Sequence, residues 1–365
     1  MKKFIFGVMS AALLLTACNT SKNEALISGT VSDGSLDGKY AYIYSEDEKV
    51  VDSVLVEAGK FTFAPITADT IAYLVFKVED IAGSFIAEPG NLTVTVNPVA
   101  EGTAPKVDFA GTPLADSWSS LIKTRRVAIK DLREYGNTLM ADSTLQEEQK
   151  DSLYGVKEEE VIAGLKKEAL AIYEANKENV LGRVSFEFAR PFLEDAEFVQ
   201  MYEAASDMVK KSPRLLKGYE AVKNFEATKE GVNYVDFTAA QEDGTEVLFS
   251  SFMDGKSYLL VDFWASWCGP CKAAMPHIRK AYDAYKDKGL RVLGVATWDK
   301  FEANEKAKEE HGIVWENLFD KESAGASAYG VNGIPHLMLI SPEGVILKRG
   351  INPSELSTVI AEYIK

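Results

Sequence analysis

The chain has 365 residues, of which 46% are hydrophobic and 26% are charged, and these values are ordinary for a globular protein with two or three domains. Its formal net charge of -15 argues against a nucleic-acid-binding protein, which would need a basic face, and mainly predicts solubility.

The N-terminus has the form of a signal peptide, predicted over residues 1–17. Lys2 and Lys3 precede an uncharged run that ends at Ala17 and is too short to span a membrane comfortably. Leu-Thr-Ala-Cys at residues 15–18 resembles a bacterial lipobox, which implies cleavage before Cys18 and a lipid on that residue. We therefore expect a protein of the cell envelope, anchored to a membrane by its lipid and facing the periplasm. An ordinary secretory signal with an incidental cysteine is the alternative.

Residues 18–24 are predicted to be a polar tether, and residues 25–111 a small β-sandwich-like domain. Hydrophobic and polar residues alternate with period two at 60–63 and 92–96, and Asp-Gly, Ala-Gly and Pro-Gly-Asn turn signals separate such runs. Short strands at this spacing favour an antiparallel sandwich or barrel. The region contains neither histidine nor cysteine, and nothing in it indicates catalysis.

Residues 112–230 are predicted to be a helical segment. Asp142-Ser143-Thr144 followed by Glu147 predicts the cap of a long charged helix. Earlier in the chain than this cap, six apolar residues at helical spacing predict one face of a preceding helix: Trp118, Leu121, Ile122, Ile129, Leu132 and Leu139.

Residues 231–365 alternate between strand and helix patterns after a leading hairpin, and they end in a hairpin and a helix capped by Asn352. This alternation predicts a mixed α/β sheet. The expected strands after the leading hairpin are 258–263, 292–296, 313–315, 336–340 and 345–348, and the expected helices are 270–285, 301–311, 322–329 and one after Asn352.

Two cysteines, Cys268 and Cys271, follow the apolar strand 258–263 at the expected start of a helix. Unpaired backbone N–H groups and the positive end of the helix dipole favour a thiolate there, and the thiolate is the nucleophile in disulfide exchange. At this spacing one thiol can attack a substrate disulfide while the other resolves the mixed disulfide. Half of a metal site and a static structural disulfide are the alternatives. A structural zinc usually needs four Cys or His ligands, and the three histidines have no ligand-like spacing.

The stretch Leu259–Cys271 closely resembles the active site of thioredoxins. With the lipobox, the leading hairpin and an added helix and strand within residues 299–322, the region 231–365 resembles the TlpA/ResA-type thioredoxin-like family. The resemblance implies a thiol–disulfide oxidoreductase that needs no cofactor or metal beyond a redox-active disulfide between Cys268 and Cys271. It also implies protein disulfides as substrates and a membrane electron donor for the thiols. Residues 25–111 weakly resemble a β-domain of unknown function that precedes thioredoxin-like domains in Gram-negative lipoproteins.

Asp262 lies in the middle of the apolar strand, where a buried carboxylate costs several kcal/mol unless it is protonated or paired. The resemblance implies that it moves a proton to or from the resolving thiol. We expect burial to raise its pKa, which suits proton transfer near neutral pH. A side chain that points outward from an exposed strand is the alternative.

Ile334 and Pro335 precede the strand at 336–340. The resemblance implies a cis peptide bond at Pro335, facing the cysteines, with both residues positioning an extended substrate strand. We expect Trp267 to shield the site and pack on the substrate. His336 takes the place after the proline that threonine often has, and it either lies near Cys268 as a titrating cation or points away.

Gly269 and Pro270 between the cysteines match the thioredoxin dipeptide and favour a reductase over an oxidase. A peroxidase is disfavoured, because the peroxiredoxin pattern Pro-x-x-x-Thr-x-x-Cys is absent. Two alternatives remain: a binding lipoprotein with a minor redox switch, and an apocytochrome-handling or metal-handling thiol protein.

Overall fold

The structure is a computed structural model that describes residues 23–67, 71–98 and 106–365. The predicted signal peptide and Cys18 lie outside the described residues. The chain divides into two compact units, the first Met1–Leu193 with Ala205–Val209 and the second Glu194–Ala204 with Lys210–Lys365. No helix in the described ranges is both long and apolar enough to cross a membrane.

The described part of the first unit begins with nine strands in two sheets. The strands are β1 (Glu24–Val31), β2 (Tyr40–Tyr44), β3 (Val50–Leu55), β4 (Lys60–Thr62), β5 (Ile66–Thr67), β6 (Ala72–Val78), β7 (Ile81–Ala87), β8 (Gly90–Asn97) and β9 (Lys106–Ala110). One sheet has the order β4-β1-β8-β9, with β5 also paired to β1, and the other has the order β3-β2-β6-β7.

The two sheets share one apolar core, as expected for a sandwich. Phe61 stacks on Phe76 with ring centroids 5.4 Å apart, and Phe85 stacks on Phe109 at 5.0 Å. The expected antiparallel pairing is wrong for one pair of strands, because β1 and β8 pair in parallel. Alternation within a strand reveals its buried face but not the direction of the neighbour with which it pairs.

Three helices complete most of the first unit: α1 (Pro113–Ala141), α2 (Glu147–Ala175) and α3 (Val180–Ala189). Helix α1 packs on the second sheet through the buried Trp118, whose Nε1 donates to Ser84 Oγ at 3.1 Å. The predicted cap of the charged helix is wrong by a few residues. Gln146 caps α2 in a reciprocal capping box with Gln149, whereas Asp142 caps the end of α1.

The remaining elements follow in chain order. The helices are α4 (Asp195–Glu203), α5 (Asp207–Lys210), α6 (Pro213–Ala227), α7 (Gly269–Tyr285), α8 (Phe301–Glu310), α9 (Ala324–Ala328) and α10 (Leu356–Tyr363). The strands are β10 (Thr238–Ala240), β11 (Glu246–Leu248), β12 (Tyr258–Trp264), β13 (Leu290–Thr297), β14 (Glu316–Asp320), β15 (His336–Ile340) and β16 (Ile346–Arg349).

The described strands of the second unit form a mixed seven-stranded sheet, order β11-β10-β14-β13-β12-β15-β16. Strand β12 lies inside it, parallel to β13 and antiparallel to β15. This is the predicted mixed α/β arrangement, although the short strand expected at 313–315 is wrong. Trp315 instead packs into the core beside α7, and pairing with β13 starts at Glu316.

The two faces of this sheet carry separate apolar cores. Helices α7 and α10 pack on the face that also holds Leu260 and Trp264 of β12. Residues from the leading hairpin and from α9 pack on the other face, against Val261 and Phe263. Helix α6 belongs to the second unit, although it precedes the domain start predicted at residue 231.

Candidate active site

Cys268 is the N-cap residue of α7, at the end of the turn that follows β12. Its backbone is extended, and its Sγ accepts a hydrogen bond from the Cys271 N–H at 3.1 Å. Pro270 in the first turn is well suited to a helix start, because its missing N–H would have no partner there. The two cysteines form a disulfide with each other. The first sulfur thus lies at the positive end of the helix dipole, where a negative charge is favoured.

The disulfide borders an open cavity of ≈ 600 Å³. Cys268 lines this cavity but is only 3% exposed, and Cys271 is fully buried. The Ile334–Pro335 peptide bond is cis, as the resemblance implies, and the Ile334 carbonyl oxygen lies 3.7 Å from Cys268 Sγ. The structure therefore brings Cys268 and the residue before the cis proline together at the cavity.

Asp262 is buried within the sheet, so the alternative of an outward-facing carboxylate is wrong. Alternate residues of a strand point to the same side of the sheet, so Asp262 lies on the same face as Leu260 and Trp264. These two residues pack with Cys271, and Asp262 therefore lies on the sheet face that carries the cysteines. Neither carboxylate oxygen has a hydrogen-bond partner among the described residues. Burial raises the pKa of Asp262 to about 7, which allows this group to take up and release a proton near neutral pH.

Trp267 stands beside the disulfide and is 61% exposed, so most of its ring is available for contact. Its indole Nε1 donates to the Trp298 carbonyl oxygen at 2.8 Å, which fixes the ring at the edge of the cavity. Trp264 is fully buried instead, and its Nε1 donates to Asn317 Oδ1 at 2.9 Å.

His336 points away from the cysteines, which decides between the two orientations left open by the sequence. Its pairing partner is Phe263, and the two rings lie 6.2 Å apart on the face opposite α7. Its Nε2 lies 3.3 Å from Arg349 Nη2. Because a guanidinium can only donate, this contact requires a neutral ring. Burial, and secondly the charge of Arg349, lower the pKa of His336 to about 4.

Sequence reasoning missed Trp298 and Asp299, which follow β13. Asp299 accepts hydrogen bonds from the Ser266 backbone N–H at 2.6 Å and from Ser266 Oγ at 2.7 Å, and so holds the turn before Cys268. A signal was present in the sequence. Parallel strands end at one edge of a sheet, so the residues after β13 lie near those after β12.

No group of three or more His, Cys, Asp or Glu side chains in the described ranges could hold a metal ion. The described cysteines, Cys268 and Cys271, bind each other. The site therefore consists of a cysteine pair, a buried carboxylate and an apolar cavity.

Comparisons with known proteins agree with this geometry. Residues 231–349 match the AhpC/TSA family, and residues 26–118 match a domain of unknown function, DUF4369. The thiol-disulfide oxidoreductase ResA of Geobacillus thermodenitrificans is 30% identical over 135 residues, which cover 36% of this chain and 76% of that protein. ResA of Bacillus subtilis is 28% identical over 123 residues, covering 34% of this chain and 68% of that protein.

Among solved structures, the thioredoxin domain of a thiol-disulfide oxidoreductase from Bacteroides vulgatus is similar. It is 29% identical, with a TM-score of 0.35, and the match covers 38% of this chain and 99% of that one. The matches to the AhpC/TSA family and to ResA confirm the predicted thioredoxin-like fold of the C-terminal part, which an all-β region and a helical segment precede. The chain belongs to the ResA/TlpA-type thiol-disulfide oxidoreductases, within the thioredoxin-like AhpC/TSA family.

Proposed function

We propose that this oxidoreductase reduces disulfides of envelope proteins through Cys268 and Cys271. One observation supports this most strongly: Cys268 caps α7 at the cavity, while Cys271 is buried beneath it on the sheet face that holds Asp262. This is an arrangement for one attacking and one resolving thiol. The name of the ResA relatives, thiol-disulfide oxidoreductase, supports the same chemistry.

In the first step the reduced Cys268 attacks as a thiolate. Its sulfur forms a bond to one sulfur of the substrate disulfide, the substrate S–S bond breaks, and the second substrate sulfur leaves as a thiolate that takes up a proton. The helix N-terminus stabilises the attacking thiolate. Ile334 and Pro335 position the substrate strand, and Trp267 packs on it.

In the second step Cys271 resolves the mixed disulfide. Its thiol gives a proton to the Asp262 carboxylate, its sulfur bonds to Cys268 Sγ, and the remaining substrate sulfur leaves as a thiolate. The substrate has then gained two electrons and the enzyme holds the Cys268–Cys271 disulfide. A pKa of about 7 suits Asp262 to this transfer, because such a group is half ionised near neutral pH.

The direction of transfer is proposed from the Gly269-Pro270 dipeptide and from the place of His336. A cation beside Cys268 would stabilise the reduced form and make the protein more oxidising. His336 is neutral and lies on the other sheet face, so it provides no such cation. A membrane electron donor would return the disulfide to the dithiol. The lipobox at residues 15–18 supports a lipid anchor on Cys18, with the enzyme facing the periplasm.

Reduction of insulin disulfides by the purified protein tests the activity. We expect turnover by the parent, none by Cys268→Ser, and a stable mixed disulfide in Cys271→Ser that mass spectrometry can identify. Cys18→Ala is the matched control and should match the parent. Turnover by Cys268→Ser would contradict the assignment of the attacking thiol.

The anchor needs a separate test, because activity does not depend on it. The mature protein should begin at Cys18 and partition into the detergent phase, and Cys18→Ala should remain in the aqueous phase. A Cys18→Ala protein that is as membrane-bound as the parent would refute the lipid anchor.

A further inference from the structure

Trp298 is held on the surface beside the cysteines by an unusual backbone conformation. It directly follows β13 and has φ 55, in the left-handed region that is unfavourable for a bulky side chain. Its carbonyl oxygen accepts the hydrogen bond from Trp267 Nε1, and its own side chain is 38% exposed. Trp267 and Trp298 therefore both line the cavity that contains Cys268.

Trp298 also borders a second cavity, of ≈ 200 Å³, between α6 and α9. Trp298 and Asn332 line both cavities, and the segment from Gly330 to Ile334 passes from one cavity to the other. The surface over Cys268 therefore continues past Trp298 to α6, which precedes the thioredoxin-like part of the chain.

Helix α6 is fixed as a wall of this second cavity. Gly330 has φ 59, and a Cβ atom there would lie 2.2 Å from the Ala221 carbonyl oxygen, so α6 and the end of α9 are in close contact. Asn224 Nδ2 donates to the Ser327 carbonyl oxygen at 2.9 Å. Arg349 Nη1 donates to the Thr228 carbonyl oxygen at 2.8 Å and holds the end of the helix.

The two cavities differ in chemistry. The first has largely apolar walls, formed by Trp267, Pro270, Trp298 and Ile334. The second has mixed walls, in which the polar side chains of Lys217, Glu220, Asn224, Ser327 and Asn332 stand beside apolar ones. An extended polypeptide that crosses both would bury an apolar side chain near Cys268 and keep polar side chains beyond Trp298.

We propose that Trp298 is a specificity residue, and that the surface from Cys268 across Trp298 to α6 binds the polypeptide segment next to the substrate disulfide. The preferred segment has an apolar residue beside its reacting cysteine and polar residues farther along. This inference rests on the proposed function and deepens it. The Trp298 indole should bind the substrate equally well in the ground state and in the transition state. Its removal should therefore raise KM and leave kcat nearly unchanged.

The test compares three substrates of the full chain: two disulfide peptides that differ by Leu or Ser beside the reacting cysteine, and glutathione disulfide. We expect Trp298→Ala to raise KM for the Leu peptide, and this fold increase should be about ten times the one for glutathione disulfide. A tenfold difference is a usual effect of removing a tryptophan from an interface. The Ser peptide should be affected less, and Trp298→Phe should recover most of the loss. Leu248→Ala, which truncates a side chain that is 52% exposed on β11, is the matched control and should leave all three unchanged.

A second arm tests the wall formed by α6. Glu220→Lys should shift preference by about threefold toward peptides with an acidic residue distal to the cysteine, the scale of an exposed ion pair. Equal effects of Trp298→Ala on all three substrates, or an unchanged KM for the Leu peptide, would overturn the inference while leaving the proposed function intact. A parent that reduces none of the three would overturn both.

Discussion

The two faces of the seven-stranded sheet hold different titratable groups at almost the same place: Asp262 is buried and His336 is half-buried. Asp262 pairs with Leu337, and the next residue, Phe263, pairs with His336, so the two groups are one register position apart on opposite faces. Asp262 has no hydrogen-bond partner among the described residues, whereas His336 lies 3.3 Å from the Arg349 guanidinium.

Burial disfavours the charged form of both groups, and so it acts on their pKa values in opposite directions. It raises the pKa of Asp262 to about 7 and lowers the pKa of His336 to about 4. Of these two groups, only Asp262 titrates near neutral pH, and it lies on the sheet face that carries the cysteines. The other face uses its histidine as a neutral hydrogen-bond acceptor within a structural contact.

The largest expected effect is on the stability of the oxidised protein in Asp262→Asn. A carboxyl whose pKa is raised on folding contributes stability that is fully present below its unfolded pKa and is lost as pH rises through the folded value. Between pH 4 and pH 8 the parent should lose roughly 4 kcal/mol more unfolding free energy than the variant. Urea unfolding at both pH values measures this, and parallel pH profiles would refute the raised pKa.

Asp262→Asn should also slow disulfide exchange, because asparagine cannot accept the proton of Cys271. We expect a rate reduction of about 100-fold at pH 7, within the usual range for general acid–base catalysis. Single-turnover reduction of a peptide disulfide measures it. A variant that is both more stable at pH 8 and equally fast would show that the buried carboxylate has no role in proton transfer.

Arg349→Met probes the opposite face. The guanidinium donates to carbonyl oxygens of Thr228 and Tyr329, and it lies over the Phe225 ring at 3.9 Å. Removal of these part-buried hydrogen bonds should lower the unfolding free energy by about 2 kcal/mol.

Lys348→Met is the matched control for Arg349→Met. It removes a neighbouring but exposed ion pair with Glu230, and it should change the unfolding free energy by less than about 1 kcal/mol. Equal losses in the two variants would show that Arg349 does not stabilise the fold through these part-buried contacts.

The smallest expected effect is on the redox potential of His336→Thr. Because the imidazole is neutral and lies on the face away from the thiols, we expect the midpoint to move by less than about 10 mV. Equilibration with glutathione buffers measures it. A shift of about 30 mV or more would mean that His336 interacts with the thiols, and it would contradict the difference between the two faces.

Local sequence patterns were sufficient to predict the parts of the site that are contiguous in the chain. The apolar run before Cys268 predicted a strand, the i, i+3 cysteines predicted a helix start, and both appear as β12 and α7 with Cys268 as N-cap. The same run predicted a buried Asp262, because a strand that is apolar on both sides has no exposed face. Such features depend on neighbours within a few residues, which a sequence pattern records.

Three features depend on contacts between distant segments: the face that His336 occupies, the way Asp299 holds the turn before Cys268, and the position of α6 at a cavity next to Trp298. The side on which His336 lies relative to Asp262 depends on the register between β12 and β15, since a slip of one residue would reverse it. The parallel pairing of β1 with β8 and the contact of α6 with Gly330 likewise join distant segments. Local periodicity specifies which residues are buried, whereas long-range packing specifies the partners against which they are buried.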